Sequence, residues 1–325
     1  MNALNQTIAD LRCEENKDIK ILENKIIVIA IIPFSFLLNS FNLIVFFFII
    51  KKRTFSNLLY TSTSANDFIA SIFTMPIEII TYLLCPGNGL NYEVLVIIDY
   101  ILSFCTNTVS IYNLVIMSFH RYFQLKYPLK SNERMSLTKY LILSLNWVIN
   151  YLFWISSYVY QYFYFYDRTD FSIYNLNFML MIDVLFYAGP LLIIIILNIL
   201  VFIEIKKRNK IKQMNGLKNK ALILNRKDKE YKAYLYLLLF SFIMLLCFSL
   251  YSFSIFLSPF VEINDRFYYA ASNITYFINL ANPILLLTFQ DEFKNEFIKF
   301  IGYLKKKLFF RYTLCNFFSL NKYFK

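Results

Sequence analysis

Four carboxylates lie within or beside long apolar stretches of the sequence. Asp67 and Glu78 interrupt the otherwise uncharged window Leu58–Leu84, whereas Asp99 and Asp183 each stand immediately before such a window. A carboxylate in apolar surroundings is costly unless a cation or hydrogen-bond donors accompany it, so residues of this kind are functional by default. The chemistry that they predict is the binding of a cation, either an inorganic ion or a positively charged ligand.

The composition indicates what kind of protein must hold these carboxylates. Of the 325 residues 58% are hydrophobic and only 17% are charged, whereas soluble domains usually carry about 25% charged residues. A soluble multidomain enzyme is therefore excluded, and a membrane protein is predicted. With one histidine and five glycines, the chain also lacks the metal-ligand cluster or glycine loop expected of an enzyme.

Seven windows are free of charge, or nearly so, and are long enough to cross a bilayer, which takes about 20 helical residues. Charged residues mark their ends, because a charge in mid-bilayer costs several kcal/mol. The windows are Ile26–Ile50, Leu58–Leu84, Tyr100–Phe119, Tyr140–Tyr166, Val184–Ile203, Ala233–Val261 and Phe267–Gln290. They predict an all-α membrane protein with a seven-transmembrane helix bundle over residues 26–290.

Lysine and arginine are unequally distributed among the connections. With the N-terminus outside, 27 of the 33 basic residues fall on the inner side, 11 of them in Lys206–Lys232. Because positive charge marks the cytoplasmic side, residues 1–25 are predicted to be extracellular and residues 291–325 cytoplasmic. A glycosylation sequon at Asn5 agrees with this orientation. The net charge of +12 then reflects topology and attraction to anionic lipid, and no nucleic acid is expected as a partner.

Short motifs recur at characteristic places in the windows. In chain order they are Asn42 in Asn-Leu-Ile-Val, Asn57, Ala65-Asn66-Asp67, Pro76, Ser118-Phe119-His120-Arg121-Tyr122, Tyr127-Pro128, Trp147, Pro190, Cys247-Phe248-Ser249-Leu250, Asn282-Pro283 and Phe293-Lys294. As an ordered set over about residues 26–300, they resemble the rhodopsin-like family of G-protein-coupled receptors. The resemblance implies a multi-pass receptor of the plasma membrane that couples a ligand outside to a heterotrimeric G protein inside. It also implies a short amphipathic eighth helix from Asp291, with a basic tail after it.

The resemblance places four oxygen-bearing residues around Asp67, as in the sodium pocket of such receptors. They are Asn42, Ser110, Asn279 and Asn282. An allosteric sodium ion is the only cofactor implied, and a structural polar cluster without an ion is the alternative interpretation.

At the inner end, the resemblance makes Arg121 the residue that meets the G protein, with His120, Tyr122, Asn282 and Pro283 as further parts of the switch. The acid that usually precedes the arginine is replaced by His120. Glu230, just before the sixth window, is therefore the expected counter-ion of Arg121. A single partly hydrated ion pair contributes about 1 kcal/mol. Elevated basal signalling is therefore predicted, whereas a simple helix cap is the alternative role for His120.

At the outer end, Glu78, Asp99 and Asp183 are predicted to bind the ligand, with Phe248 beneath it. Asp183 could instead mark the water line. The family's amine-binding aspartate would fall at Ser103, so a basic or amidated neuropeptide is favoured over a small amine. A chemosensory receptor for small molecules is the alternative, and a seven-helix transporter or channel is a third, less favoured reading.

Several expected residues of the family are absent. No cysteine stands near Val96 or between Asp167 and Phe178 to form the usual outer disulfide, so a bridge between Cys13 and Cys85 is left open. Two inner tyrosines are replaced by Asn198 and Leu286. The switch is therefore expected to differ from that of the family.

Overall fold

The computed structural model describes residues 20–50, 54–83, 90–127, 137–165, 181–182, 184–214, 220–257, 265–291 and 293–303. All regular secondary structure in these ranges is helical. The α-helices are α1 (Lys20–Ile44), α2 (Phe55–Ile69), α3 (Met75–Leu83), α4 (Leu90–Lys126), α5 (Leu137–Phe165), α6 (Gly189–Met214), α7 (Lys220–Leu257), α8 (Asp265–Thr275), α9 (Phe277–Phe289) and α10 (residues 293–303). Three π-helical segments, Val45–Ile49, Ala70–Thr74 and Val184–Ala188, continue or precede these helices.

Five of the described helical segments are long and apolar enough to cross a membrane, judged by length and composition alone. They are Lys25–Ile49, Val94–Lys126, Leu137–Tyr160, Val184–Arg208 and Tyr234–Ser254, which belong to the first, third, fourth, fifth and sixth windows. The second window is a helix interrupted by the Ala70–Thr74 π segment, and it carries Asp67 and Glu78. In the seventh window the regular α-helix is interrupted at Tyr276, between α8 and α9. The apolar helical stretch around this interruption, Asn273–Phe289, is shorter than the five segments above.

The helices expose apolar side chains and bury polar ones. Phe48 is 84% exposed, and Ile149 and Leu152 also project outward from their helices. The buried set includes Asn39, Asn42, Ser64, Asn66, Asp67, Ser110, Asn113 and Asn282. A water-soluble helix bundle would show the opposite pattern. The distribution is therefore that of helices surrounded by lipid.

Prolines account for two of the local irregularities. Pro76 and Pro190 each lie two residues after the end of a π segment, as expected because proline lacks an N–H and its ring clashes with the preceding turn. A π turn would pair residue 190 with the carbonyl of Leu185, which Pro190 cannot do. That carbonyl instead accepts a hydrogen bond from the Tyr112 hydroxyl of α4, at 3.1 Å.

A polar network joins α2, α4 and α5 in their buried interface. The Trp147 indole donates to the Ser62 hydroxyl at 3.0 Å, and Ser62 exchanges hydrogen bonds with Asn113. Asn146 donates to the Asn113 side-chain oxygen at 3.0 Å, and Asn150 donates to Asn146. Because buried polar groups are costly unless they are paired, this network fixes α4 at the centre of the bundle.

Candidate functional site

The carboxylate of Asp67 in α2 is fully buried. The side-chain amide of Asn282 in α9 links it to Tyr236 in α7. The Asn282 side chain donates to Asp67 Oδ2 at 2.8 Å, and its own oxygen accepts from the Tyr236 hydroxyl at 2.8 Å. Tyr236 lies edge-on to Tyr60, with ring centroids 5.2 Å apart. Asp67 and Asn282 thus meet as expected, and Tyr236 joins them as a member that the sequence did not reveal.

The other oxygen of Asp67, Oδ1, accepts no hydrogen bond among the described residues. The Ser110 side chain lies close to the carboxylate without adopting hydrogen-bond geometry. Asn66 donates to Ser110 Oγ at 2.8 Å, whereas its side-chain oxygen and that of Asn42 are also buried without a donor. Oxygens left over in this way suit a hard cation or ordered water, so the residues present fit a sodium ion.

Asn279, which the resemblance places near Asp67, is buried but makes a different contact. Its backbone carbonyl accepts from Asn39 Nδ2 at 3.0 Å and from Ser35 Oγ at 3.3 Å, both on α1. The carbonyl is available because its normal donor, four residues later, would be the missing N–H of Pro283. Asn42 donates to Ser64 at 3.3 Å rather than to Asp67. Neither Asn279 nor Asn42 therefore donates a hydrogen bond to the carboxylate.

The end of the bundle that holds Arg121 is named the inner end, and the opposite end the outer end, after the predicted orientation. A cavity of about 190 Å³ opens at the inner end among α2, α4, α7 and the end of α9. Its lining includes Tyr60, His120, Arg121, Gln124 and Gln290. It brings together residues that are far apart in the sequence.

His120 and Tyr122 flank the arginine without forming ion pairs among the described residues. The His120 ring packs edge-on against Phe55 at 4.8 Å, and its buried Nε2 has no hydrogen-bond partner among the described residues. Tyr122 accepts a hydrogen bond from Lys126 at 2.9 Å. The His120 ring therefore packs against the start of α2. Glu230 lies in α7, but its side chain is outside the described residues.

At the outer end, Glu78 has a partner from its own chain. The ammonium of Lys25, at the start of the first window, lies 2.6 Å from Glu78 Oε1 and donates to Asn273 Oδ1 at 3.0 Å. Lys25 is only 4% exposed, so the pair is withdrawn from water. The sequence analysis predicts Lys25 to be the last residue of the extracellular segment. It does not predict that the side chain points into the bundle and contacts Glu78.

Asp99 and Ser103 lie one turn apart on α4 and face the same cluster. The Ser103 hydroxyl donates to Asp99 Oδ1 at 3.3 Å. Both Glu78 and Lys25 are near enough to Asp99 to influence it electrostatically. Tyr276, buried at the break between α8 and α9, lies close to both Glu78 and Ser103. The structure thus gathers three of the predicted ligand-binding residues and adds Lys25, Asn273 and Tyr276 to them.

The remaining predicted residues are either deeper or outside the described part of the chain. Phe248 is fully buried in α7, with its ring centroid 5.3 Å from that of Tyr187. Asp183 and Asn5 lie outside the described residues, as do Cys13 and Cys85. Cys105 and Cys247 are buried, and neither forms a disulfide within the described part of the chain.

The two positions that lack the family's inner tyrosines contact different neighbours. Asn198 on α6 donates to Ser241 Oγ on α7 at 2.8 Å. Leu286 is fully buried in the main hydrophobic cluster. Within the described residues, α6 and α7 are therefore joined at this level by an asparagine and a serine.

The helix after the last window packs by one face. Phe293 is buried with Phe41 and Val45 of the first window, and the Phe297 ring meets Phe41 edge-on at 5.1 Å. Lys294 and Lys299 are exposed. Phe293 and Phe297 thus lie on a different face of the helix from Lys294 and Lys299.

The sequence of the chain is similar to a known protein family over most of its length. The family described as "7 transmembrane receptor (rhodopsin family)" matches residues 38–286, which include Asp67, Arg121 and the Asn282-Pro283 pair. The chain belongs to this family. This rhodopsin-family receptor is thus a multi-pass membrane protein. A search of curated proteins found no match.

For this rhodopsin-family receptor, the match covers Asp67 and the inner-cavity residues Tyr60, His120, Arg121 and Gln124, but it ends before Gln290 and stops short of both ends of the chain. Lys25 lies before the matched region, and α10 lies after it. The charge cluster at the outer end therefore combines residues within the family match with one residue outside it.

Proposed function

We propose that this receptor spans the plasma membrane seven times with its N-terminus outside, binds an extracellular cationic ligand, and activates a heterotrimeric G protein. The observation that carries the proposal is the inner cavity lined by Arg121 and Gln124. It lies at the end of the bundle where the basic residues accumulate. A cavity bordered by several helices can open or close when the helices move, and so report a ligand bound elsewhere.

The ligand class is a basic or amidated neuropeptide. Glu78 and Asp99 approach each other in a cluster that is largely withdrawn from water, where charge interactions are stronger than at a surface. A peptide with a lysine, an arginine or a free amino terminus supplies the positive charge that such a cluster favours. The fully buried Phe248 lies deeper in the bundle and supports an apolar end of the same ligand.

The topology of the proposal rests on charge and on amphipathic pattern. All 27 of the basic residues assigned to the inner side would face the anionic cytoplasmic leaflet. Helix α10 would lie on the inner membrane surface, with its phenylalanines towards the bundle and lipid and with Lys294 and Lys299 towards the head groups. Membrane lipid is therefore a partner along with the ligand and the G protein.

The deciding experiment measures dissociation of G-protein subunits by energy transfer in cells that express the receptor. Pooled amidated basic peptides should evoke dissociation in the wild type but not in Arg121→Gln. Lys299→Gln, which changes an exposed basic residue of α10 that contacts Glu296 of the same helix, should respond like the wild type. Surface expression must be matched among the three.

Two other outcomes favour different functions. A response to small odorants but to no peptide pool would favour a chemosensory receptor. Ion or solute flux that persists without ligand and survives Arg121→Gln would favour a transporter or channel and contradict the proposal.

The site at Asp67 is proposed to bind sodium in the inactive state. Its support is the unpaired Oδ1 of a fully buried carboxylate, close to the Ser110 side chain. Sodium chloride should raise the midpoint of thermal unfolding above that in choline chloride at equal ionic strength. Asp67→Asn should remove this difference. A wild-type receptor that is equally stable in both salts would support the polar cluster without an ion.

A further inference from the structure

Lys25 is a cation held inside the outer end of the bundle. Its ammonium contacts Glu78 at 2.6 Å and Asn273 at 3.0 Å, and only 4% of the residue is exposed. Burying an ion pair is favourable only when its geometry is good and additional hydrogen bonds accompany it. Here the amide oxygen of Asn273 supplies one of these bonds, so three helical elements converge on one charge.

The inward direction of Lys25 follows from its place on α1. The buried residues of this helix include Lys25, Val28, Ser35, Asn39 and Asn42, separated by steps of three, seven, four and three residues. Steps of three and four residues, or of seven as their sum, keep side chains on one helical face. Lys25 therefore continues the same stripe that carries Asn42 into the bundle, and its contact with Glu78 is a consequence of the helix register.

The cluster has unequal numbers of opposite charges. Among the described residues it contains two carboxylates, those of Glu78 and Asp99, and one ammonium, that of Lys25. Among the described residues, the hydrogen-bond partner of Asp99 is the neutral Ser103, and Asp99 takes part in no ion pair. With Glu78 matched by Lys25, one negative charge is left for a molecule from outside.

We propose that Lys25 is an internal counter-ion for Glu78, so that the outer site binds only one ammonium or guanidinium group of a ligand, at Asp99. The inference rests on the proposed function in one respect, that the outer cluster receives the ligand. It changes the role of Glu78 from a ligand contact to a structural contact. Lys25 and Asp99 together then determine that the site binds one cationic group of the ligand rather than two.

The test uses purified full-length receptor and two small cations of equal chain length. Thermal unfolding is followed against the concentration of n-pentylamine, with one ammonium, or 1,5-diaminopentane, with two; 1-pentanol is the uncharged control. In the wild type, both amines should stabilise at similar concentrations and pentanol should not. Asp99→Asn should abolish both effects. A wild-type preference for the diamine of about tenfold or more, equivalent to a second favourable ion pair, would overturn the proposal.

Substitutions of Lys25 separate its role from mere packing. Lys25→Ala frees Glu78 and opens space for a second ammonium, so the diamine should become effective at about tenfold lower concentration than the monoamine. Because this variant leaves a carboxylate buried without its partner, it is paired with Lys25→Met/Glu78→Gln, which removes both charges together and should fold. The double variant should bind n-pentylamine as the wild type does.

Loss of n-pentylamine binding in the double variant would show that Glu78 contacts the ligand, and would overturn the proposal. So would the absence of stabilisation by either amine in both the wild type and Lys25→Ala. None of these measurements requires a G protein. If the amines stabilise the variants as predicted but the receptor evokes no G-protein dissociation, only the proposed function would be contradicted.

Discussion

Replacing Asn282 by leucine should destabilise the receptor by about 3–5 kcal/mol. The amide of Asn282 satisfies two buried groups at once, the Asp67 carboxylate and the Tyr236 hydroxyl, each at 2.8 Å. A hydrogen bond to a charged group contributes about 1.5–3 kcal/mol, and a neutral buried group left without its partner costs about 1–3 kcal/mol. Leucine has a similar volume but offers neither a donor nor an acceptor, so both terms are lost without a large cavity.

The assay is thermal unfolding of the purified receptor, with Asn279→Leu as the matched control. Asn279 is buried one turn earlier in α9, but it contacts α1 through its backbone carbonyl, which the substitution retains. Tyr236→Phe isolates the neutral bond and should cost about 1–3 kcal/mol. On that background, Asn282→Leu should cost correspondingly less. If Asn282→Leu lowers the unfolding midpoint no more than Asn279→Leu does, the bridging amide is not what holds α2, α7 and α9 together.

Three further perturbations address other parts of the molecule. His120→Asp places a carboxylate beside the switch arginine and should lower basal G-protein signalling at matched surface expression; unchanged basal signalling would show that the histidine does not weaken the resting state. Gly189→Ala should destabilise by about 1–3 kcal/mol, because an added Cβ would lie 2.6 Å from the Val184 carbonyl oxygen, and an unaltered melting curve would argue against the π segment. Trp147→Phe should cost about 1 kcal/mol through loss of the 3.0 Å bond to Ser62, and the cost should vanish in a Ser62→Ala background.

The polar residues that could be anticipated are those whose burial is unfavourable without a partner. Asp67 is conspicuous because a carboxylate in an apolar window demands donors, and the motif order supplied Asn282 as one of them. Sequence order cannot specify which atom of a partner is used, however. Asn279 illustrates this, because its contribution comes from a carbonyl that Pro283 leaves without a donor.

Lys25 was missed because a lysine beside an apolar window ordinarily marks the end of the span. A signal was nevertheless present in the helical spacing that places it on the face of Asn39 and Asn42. The boundaries of the uncharged windows predict where charged residues flank the membrane core, but they do not predict where a helix begins or ends. For the same reason α4 begins at Leu90, ten residues before the Tyr100 window, and contains Asp99 within its length.

The helix of the seventh window contacts other elements at every depth of the bundle. Asn273 accepts from Lys25 at the outer end, Asn282 joins Asp67 in the middle, and Gln290 donates to the Tyr60 hydroxyl at 2.9 Å beside the inner cavity. Between the first two contacts the α-helix is interrupted at Tyr276, where bonds to Asn273 and from Asn279 are of the shorter i to i+3 type. A ligand at the outer cluster would therefore move α8, which is connected to α9 by the single non-helical residue Tyr276. Helix α9 would remain hydrogen-bonded to Asp67. Because coupling requires an element with two arrangements that both sites can bias, we expect the angle between α8 and α9 to be the variable through which ligand and G protein communicate.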